Sequence, residues 1–149
     1  MQVDLLAGTG HRPFAIPRPR PTILVFDSGL GGLTVLGRTT QACPGSHIVY
    51  AADDAGFPYG RLSEDELVIR VLVVMERLIA RFHPDLVVIA CNTASTLVLP
   101  ALRARFAIPF VGTVPAIKPA AAATRSGMIS VLATPGTVAR DYTRELIET

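Results

Sequence analysis

Short, almost uninterrupted apolar runs alternate with segments of helical periodicity, and this alternation restricts the fold more than any other feature. Such runs are typical of strands that are buried on both faces of a sheet. Strands that alternate with helices form parallel sheets, so the sequence predicts an α/β fold, with a mainly parallel sheet and helices on both faces. The strands are predicted at Thr22–Asp27, Ile48–Ala52, Asp85–Ala90, Phe110–Thr113 and Met128–Ala133.

Helical segments fill the intervals between these strands. Ser63-Glu64-Asp65-Glu66 is a capping box, and it opens the clearest helix, in which apolar residues recur at helical spacing up to Phe82. Another helix follows the third strand to about Phe106, and Pro100 is expected to kink or divide it. Shorter helices are predicted at Leu33–Gln41, at Ala116–Thr124 and after Thr137.

Composition excludes several classes of protein. Of the 149 residues, 50% are hydrophobic and 17% are charged, which excludes intrinsic disorder. The net charge of +2 is too small to make nucleic acid the expected partner. Two cysteines cannot form a disulfide scaffold, and they lack the spacing of a zinc site. No apolar run approaches the ~20 residues that span a bilayer, so no membrane partner is expected.

Residues 1–21 differ from the rest of the chain. The stretch from His11 to Pro21 is rich in proline and arginine, and we expect a disordered, extended tail there. A basic arm that touches nucleic acid is the alternative interpretation. The segment has no apolar core and no small-residue cleavage site, so it is not a secretory signal.

In sheets of this kind ligands bind at the carboxyl ends of the strands, so the loops after the first, second, third and fifth predicted strands are the candidate site. The first loop, Asp27–Leu33, is rich in glycine and can bring backbone N–H groups to an anion such as a carboxylate. Thr34 stands where a dinucleotide fingerprint needs its third glycine. Asp27 itself closes a buried strand, where a carboxylate needs a task or a partner.

A thiol stands where the third predicted strand meets its helix. A helix dipole lowers the pKa of such a thiol from about 8.5 and favours the thiolate. Cys91 is therefore a candidate base, and Asn92 and Thr93 add groups that suit a small polar ligand. The alternative is a small buried cysteine that packs as a hydrophobe. No histidine lies near Cys91 in the sequence, so a lone thiolate base is favoured over a Cys–His pair.

The remaining two loops give weaker signals. In the second loop, Pro58 and Gly60 flank Tyr59 and could hold it rigidly over a site, although this segment alone favours an ordinary surface turn. The fourth loop places the hydroxyls of Thr134 and Thr137 at a helix start, where simple N-capping is the alternative to ligand binding.

Five segments of this chain form a recognisable series. They are Val25–Leu36, Pro58–Gly60, Val88–Ser95, Val111–Ala120 and Val131–Val138. In this order and spacing, they resemble the amino-terminal part of the glutamate racemase family, within the wider aspartate/glutamate racemase superfamily. The resemblance runs from about Ile23 to the last residue.

The resemblance implies a two-domain fold with the active site between the domains. Residues 22–112 would form the first α/β domain, and residues 113–149 an incomplete beginning of the second. It further implies an isomerase without pyridoxal phosphate or metal, in which two cysteine thiols interconvert L- and D-glutamate from opposite faces of the α-carbon. D-Glutamate would supply bacterial peptidoglycan and so cell-wall biogenesis and cell shape. We expect a cytoplasmic enzyme that is a homodimer at full length.

Individual roles also come from the resemblance. Cys91 corresponds to the first catalytic thiol, and Asp27 to an acidic residue that assists it. Asp54 stands where the family usually has threonine. The positions that correspond to substrate-binding residues are Ser28, Tyr59, Gly60, Asn92, Thr93 and Thr137.

The second catalytic cysteine of the family lies in a Gly-Cys-Thr-His segment that this sequence lacks. Cys43 precedes a strand, about 17 Å from the edge that Cys91 occupies, so it cannot substitute. We therefore expect a truncated racemase that is inactive or nearly so alone, and marginally stable or self-associating. A single-thiol, decarboxylase-like enzyme and a non-catalytic binding fragment or half of a split enzyme are the alternatives.

Overall fold

A computed structural model describes residues 20–134 and 137–138 of the chain. Four parallel strands form one sheet in the order β2-β1-β3-β4. The strands are β1 (Thr22–Asp27), β2 (His47–Ala52), β3 (Leu86–Ile89) and β4 (Phe110–Gly112). The α-helices are α1 (Leu33–Ala42), α2 (Glu64–Phe82), α3 (Asn92–Arg105) and α4 (Ile117–Ala123), and two short 3₁₀ turns cover Asp54–Gly56 and Tyr59–Arg61. The predicted α/β fold is confirmed.

The central strand β1 divides the core into two layers, because successive side chains of a strand point to opposite faces. Leu24 and Phe26 pack in a cluster with buried residues of α2 and α3. Ile23 and Val25 belong to a second cluster, against which residues of α1 pack. Helices therefore cover both faces of the sheet, as the uninterrupted apolar runs predict.

Helix α3 runs undivided through Pro100, so of the kink or division expected at this proline, the division does not occur. Proline removes one backbone hydrogen bond from a helix interior. Val98 and Leu102, on either side of it, are both completely buried in the first cluster. Their packing against the sheet holds the two halves of the helix to the same core.

The predicted fifth strand is wrong, because residues 128–133 form no strand. A strand needs a neighbour to accept and donate its backbone hydrogen bonds, and no strand in the described chain pairs with this segment. Met128 and Leu132 are strongly exposed as a result. The apolar pattern of the segment is real, but pairing decides whether such a pattern becomes a strand.

Two sequence predictions fall mainly outside the described residues. These are the tail at residues 1–21, of which only Arg20 and Pro21 are described, and the last helix, of which Thr137 and Val138 are described and helical. Within residues 20–134 and 137–138, no helix has the length and apolar character needed to cross a membrane.

The predicted capping box at the start of α2 is confirmed. The Glu66 backbone N–H donates to Ser63 Oγ at 3.4 Å, and the Ser63 backbone N–H donates to Glu66 Oε2 at 2.9 Å. Two backbone donors at the helix start are thus satisfied reciprocally.

Replacing the capping serine is expected to destabilise the protein measurably. Ser63→Ala should lower the free energy of unfolding by about 1 kcal/mol, because the first turn of α2 loses a side-chain acceptor. Urea denaturation of the variant beside Ser46→Ala, a serine in the turn before β2, measures this cost. Equal stabilities of the two variants would contradict the role of the cap.

Gly32, which precedes α1, lies where the ends of two strands approach the helix. A Cβ atom at this position would stand 2.8 Å from Asp27 Cβ and 2.9 Å from Ala90 Cβ. Both neighbours sit directly on the sheet backbone and cannot swing away. The absence of a side chain at Gly32 therefore sets how closely α1 approaches the sheet.

Two Gly→Ala substitutions near and within α1 are expected to have opposite effects. Gly32→Ala should destabilise the fold by about 1–3 kcal/mol through overpacking. Gly37→Ala, inside α1 with open space around the new methyl group, should stabilise it by about 0.5–1 kcal/mol. Thermal denaturation of both variants compares them, and a Gly32→Ala protein as stable as the parent would show that α1 can shift freely.

Candidate active site

The carboxyl ends of three neighbouring strands lie at one edge of the sheet. The Asp53 backbone N–H, just beyond β2, donates to the Asp27 carbonyl at 2.9 Å. On the other side of β1, the Ala90 N–H, just beyond β3, donates to the Phe26 carbonyl at 2.7 Å. Cys91 follows directly, so the loops expected to form a site do begin next to one another.

Asp27 is buried, and its carboxylate has partners within its own loop. Asp27 Oδ2 accepts from the backbone N–H groups of Gly32 at 2.9 Å and Gly29 at 3.3 Å. The glycine-rich loop does bind a carboxylate, as its sequence suggested, but that carboxylate is the protein's own. These two donors hold Asp27 at the strand end.

Cys91 is the N-cap residue of α3, and its thiol is buried beside a hydroxyl. Its Sγ lies 3.6 Å from Ser28 Oγ, within the range of a hydrogen bond to sulfur. Ser28 is buried as well. The thiol therefore has both an apolar setting, in the first core cluster, and one specific polar neighbour from the glycine-rich loop.

Tyr59 does not lie on an ordinary surface turn, since only 2% of the residue is exposed. Its hydroxyl donates to Asp53 Oδ2 at 2.6 Å. Arg70, on α2, binds the same carboxylate with two hydrogen bonds, from Nε to Oδ2 at 2.6 Å and from Nη2 to Oδ1 at 2.7 Å. The ring is thus fixed at both its apolar body and its polar tip.

The pKa values of Tyr59 and Asp53 are shifted in the directions that these hydrogen bonds and burial predict. Burial raises the pKa of Tyr59 far above its ordinary value, and the hydrogen bond to Asp53 adds to the increase. Burial alone would raise the pKa of Asp53, but the hydrogen bonds from Arg70 and Tyr59 outweigh it and lower that pKa. Asp53 is therefore a carboxylate, and Tyr59 a neutral phenol, at neutral pH.

A second tyrosine ties β2 to the glycine-rich loop. The Tyr50 hydroxyl donates to the Gly29 carbonyl at 2.7 Å. Burial raises the pKa of Tyr50, and the nearby charge of Asp27 raises it further. This residue holds the loop that carries both Asp27 and Ser28.

Hydroxyl groups of the third and fourth loops meet at the same edge. Thr93 Oγ1 lies 3.3 Å from Thr134 Oγ1, which in turn lies 2.9 Å from Thr137 Oγ1. Thr134 Oγ1 also accepts from the Thr137 backbone N–H at 3.4 Å, the capping bond that sequence alone suggested as an alternative. Gly60 lies against the Thr134 side chain. Asn92 begins α3 and is exposed beside these groups.

Seven of the eight candidate residues from the sequence thus lie at the ends of β1, β2 and β3 or in the segments that follow them. Thr137 follows no strand, and it reaches this edge through Thr134 and Thr93. Cys43 is separate from them, since it caps the end of α1 and packs in the second cluster. In the described part of the chain, no group of three or more His, Cys, Asp or Glu side chains comes together as a metal site requires.

Sequence reasoning missed three residues that support this edge: Asp53, Arg70 and Tyr50. Asp53 carries the signal that singled out Asp27, a carboxylate directly after a buried strand, and could have been found. Arg70 lies 17 positions further along, within a helix that carries several arginines. Only the tertiary fold distinguishes it from the others.

Curated proteins that are similar to this chain include glutamate racemases. The glutamate racemase of Brucella anthropi is 61% identical over 127 residues, which cover 85% of this chain and 46% of that protein. The glutamate racemase of Brucella ovis is 59% identical over 131 residues, which cover 87% of this chain and 47% of that protein.

Solved structures of glutamate racemases are also similar to this chain. Escherichia coli glutamate racemase, crystallised in complex with L-glutamate and the activator UDP-MurNAc-Ala, superposes with a TM-score of 0.82 at 53% identity, over 87% of this chain and 48% of that one. Aquifex pyrophilus glutamate racemase gives a TM-score of 0.76 at 38% identity, over 85% of this chain and 51% of that one.

This chain therefore spans about half the length of the relatives that it matches. The Asp/Glu/hydantoin racemase family matches residues 26–149, which is most of the sequence. With the parallel sheet, the buried thiol and the glycine-rich loop at one edge, this match shows that the chain belongs to the Asp/Glu/hydantoin racemase family.

Proposed function

We propose that this chain carries one half of the active site of a glutamate racemase, an isomerase that interconverts L- and D-glutamate. The observation that carries the proposal is the Cys91 thiol at the start of α3, 3.6 Å from the Ser28 hydroxyl and next to the strand end that holds Asp27. The identity of 61% to a glutamate racemase, and the likeness to one solved with L-glutamate, support the substrate.

Cys91 is the base on one face of the substrate in this proposal. Its thiolate takes the α-proton, the C–H electron pair stays on the α-carbon beside the α-carboxylate, and a second acid returns a proton to the opposite face. The Ser28 hydroxyl can donate to the thiolate and so stabilise it. Asp27 assists by holding the loop that carries Ser28, through its bonds to Gly29 and Gly32.

The polar groups around the thiol bind the substrate in this proposal. Ser28, Tyr59, Gly60, Asn92, Thr93 and Thr137 are the proposed binding residues. Thr93 and Thr137 are linked through Thr134, which lies close to Gly60, and hydroxyl groups of this kind can hydrogen-bond to a small polar ligand such as glutamate. Neither pyridoxal phosphate nor a metal takes part in the proposed reaction.

The proposed function includes a division of the chain between two domains. Residues 22–112 form the first α/β domain in the proposal, and residues 113–149 belong to the beginning of a second one. We further propose that the full-length enzyme is a cytoplasmic homodimer that supplies D-glutamate for peptidoglycan. A thiol on the second face comes from outside this chain, whose other cysteine, Cys43, packs elsewhere.

Exchange of the α-hydrogen in D₂O tests the proposal directly. The purified chain is expected to exchange the α-hydrogen of one glutamate enantiomer, slowly and without inversion, because it holds one thiol at the site. Proton NMR follows the loss of the α-hydrogen signal, and circular dichroism follows inversion. Cys91→Ser should abolish exchange, whereas Cys43→Ser, a matched control, should leave it unchanged.

Four results would count against this assignment. Exchange that survives in Cys91→Ser would remove the thiol from the reaction. Inversion by the chain alone would reveal a second acid within it. Turnover of a malonate in place of glutamate exchange would favour a single-thiol decarboxylase. Glutamate binding without exchange, in a folded sample, would instead favour a non-catalytic binding protein.

A further inference from the structure

Asp53 and Arg70 form a partly buried ion pair, to which the Tyr59 hydroxyl is hydrogen-bonded. Asp53 Oδ2 accepts from both the Tyr59 hydroxyl and Arg70 Nε, each at 2.6 Å, so one oxygen joins the two side chains. The Arg70 Nη2 bond to Oδ1 makes the ion pair bidentate and fixes the plane of the carboxylate. Asp53 is 8% exposed, whereas the Arg70 side chain is 34% exposed.

The surrounding backbone is shaped for this ion pair. A Cβ atom at Gly56 would lie 2.7 Å from Arg70 Cζ and 2.8 Å from Asp53 Oδ2. The guanidinium and the carboxylate therefore pass directly over Gly56, a close approach that a side chain would block. The backbone of Asp53 is fixed in turn by its bonds to Asp27 and Gly56.

Tyr59 connects this ion pair to the candidate site. It opens the 3₁₀ turn at Tyr59–Arg61, and its ring packs in the first core cluster together with Cys91. The next residue is Gly60, where a Cβ atom would stand 3.2 Å from Thr134 Cγ2, and the Thr134 hydroxyl lies 3.3 Å from that of Thr93. Displacement of the ring would therefore move the turn relative to Thr134 and to Thr93, of which Thr93 is proposed to bind substrate.

We infer that Arg70 and Asp53 are positioning residues, which hold the Tyr59 ring and so keep the Tyr59–Gly60 turn in place to bind glutamate. The inference rests on the proposed function for the identity of the ligand. Arg70 acts only through Asp53 and Tyr59 in this scheme, and it takes no part in proton transfer. Its loss should weaken binding and leave the chemical step intact.

Arg70→Ala, Arg70→Lys and Asp53→Asn test the inference, with Arg77→Ala as the matched control. Arg77 is an exposed arginine two turns further along the same helix. The first readout is the Tyr59 ring signal in ¹H–¹³C NMR of tyrosine-labelled chain, assigned with Tyr59→Phe. The second is KM against kcat for exchange of the glutamate α-hydrogen.

Arg70→Ala and Asp53→Asn are expected to shift the Tyr59 signal and raise KM about tenfold, with kcat changed less than about twofold. Arg70→Lys should recover part of the loss, because it keeps the charge but not the two-pronged contact. Arg77→Ala should match the parent in both readouts. Since Arg70→Lys keeps the charge, it also tests the inference if the alanine variant fails to fold.

A Tyr59 signal that moves no more in the Arg70 variants than in Arg77→Ala would overturn the inference. A fall in kcat at unchanged KM would also overturn it, since that result places Arg70 in the chemical step. If the unchanged chain neither binds glutamate nor exchanges its hydrogen, the proposed function fails. The Tyr59 signal then decides by itself whether Arg70 and Asp53 hold the ring.

Discussion

The hydrogen bonds that β1 makes with both of its neighbours are the constraint on which the site depends. In register with β2 and β3, β1 brings Asp27, Asp53 and Cys91 to one edge, although they are far apart in the sequence. A shift of either register would move one loop away from the others and turn its buried side chains to the wrong face. Sheet pairing thus sets the distances between groups that no local motif could bring together.

Burial then determines what the polar groups at this edge do. A carboxylate withdrawn from water is costly unless charge or hydrogen bonds compensate it. Asp27 obtains two backbone donors from the glycine-rich loop, and Asp53 obtains Arg70 and Tyr59. The hydrogen bonds that compensate each carboxylate also fix the loop that carries it. The same bonds that make the charges tolerable therefore make the site rigid, which is what positioned acid–base chemistry requires.

The sequence predicts those parts of this molecule that local pattern controls. Apolar runs, together with the capping and turn residues between them, predict the four strands, the capping box at Ser63 and the placement of Cys91 at a helix start. Residues 128–133 carry the same kind of run yet form no strand, because pairing depends on a neighbour. Arg70 is indistinguishable from its neighbours on α2 until the fold brings Asp53 against it. Long-range partners decide both cases.

Several hydrogen-bond donors near the candidate site are already bonded within the protein, and this limits how a substrate can be held. The N–H groups of Gly29 and Gly32 are directed at Asp27, and the Tyr59 phenol donates its hydrogen to Asp53. None of these hydrogens is then available to a carboxylate of glutamate. If the Tyr59–Gly60 turn binds substrate, it must do so through its backbone rather than through the phenol. Binding would then depend on where the turn lies, and a partly buried ion pair at the phenol of Tyr59 is a physical means of fixing that position.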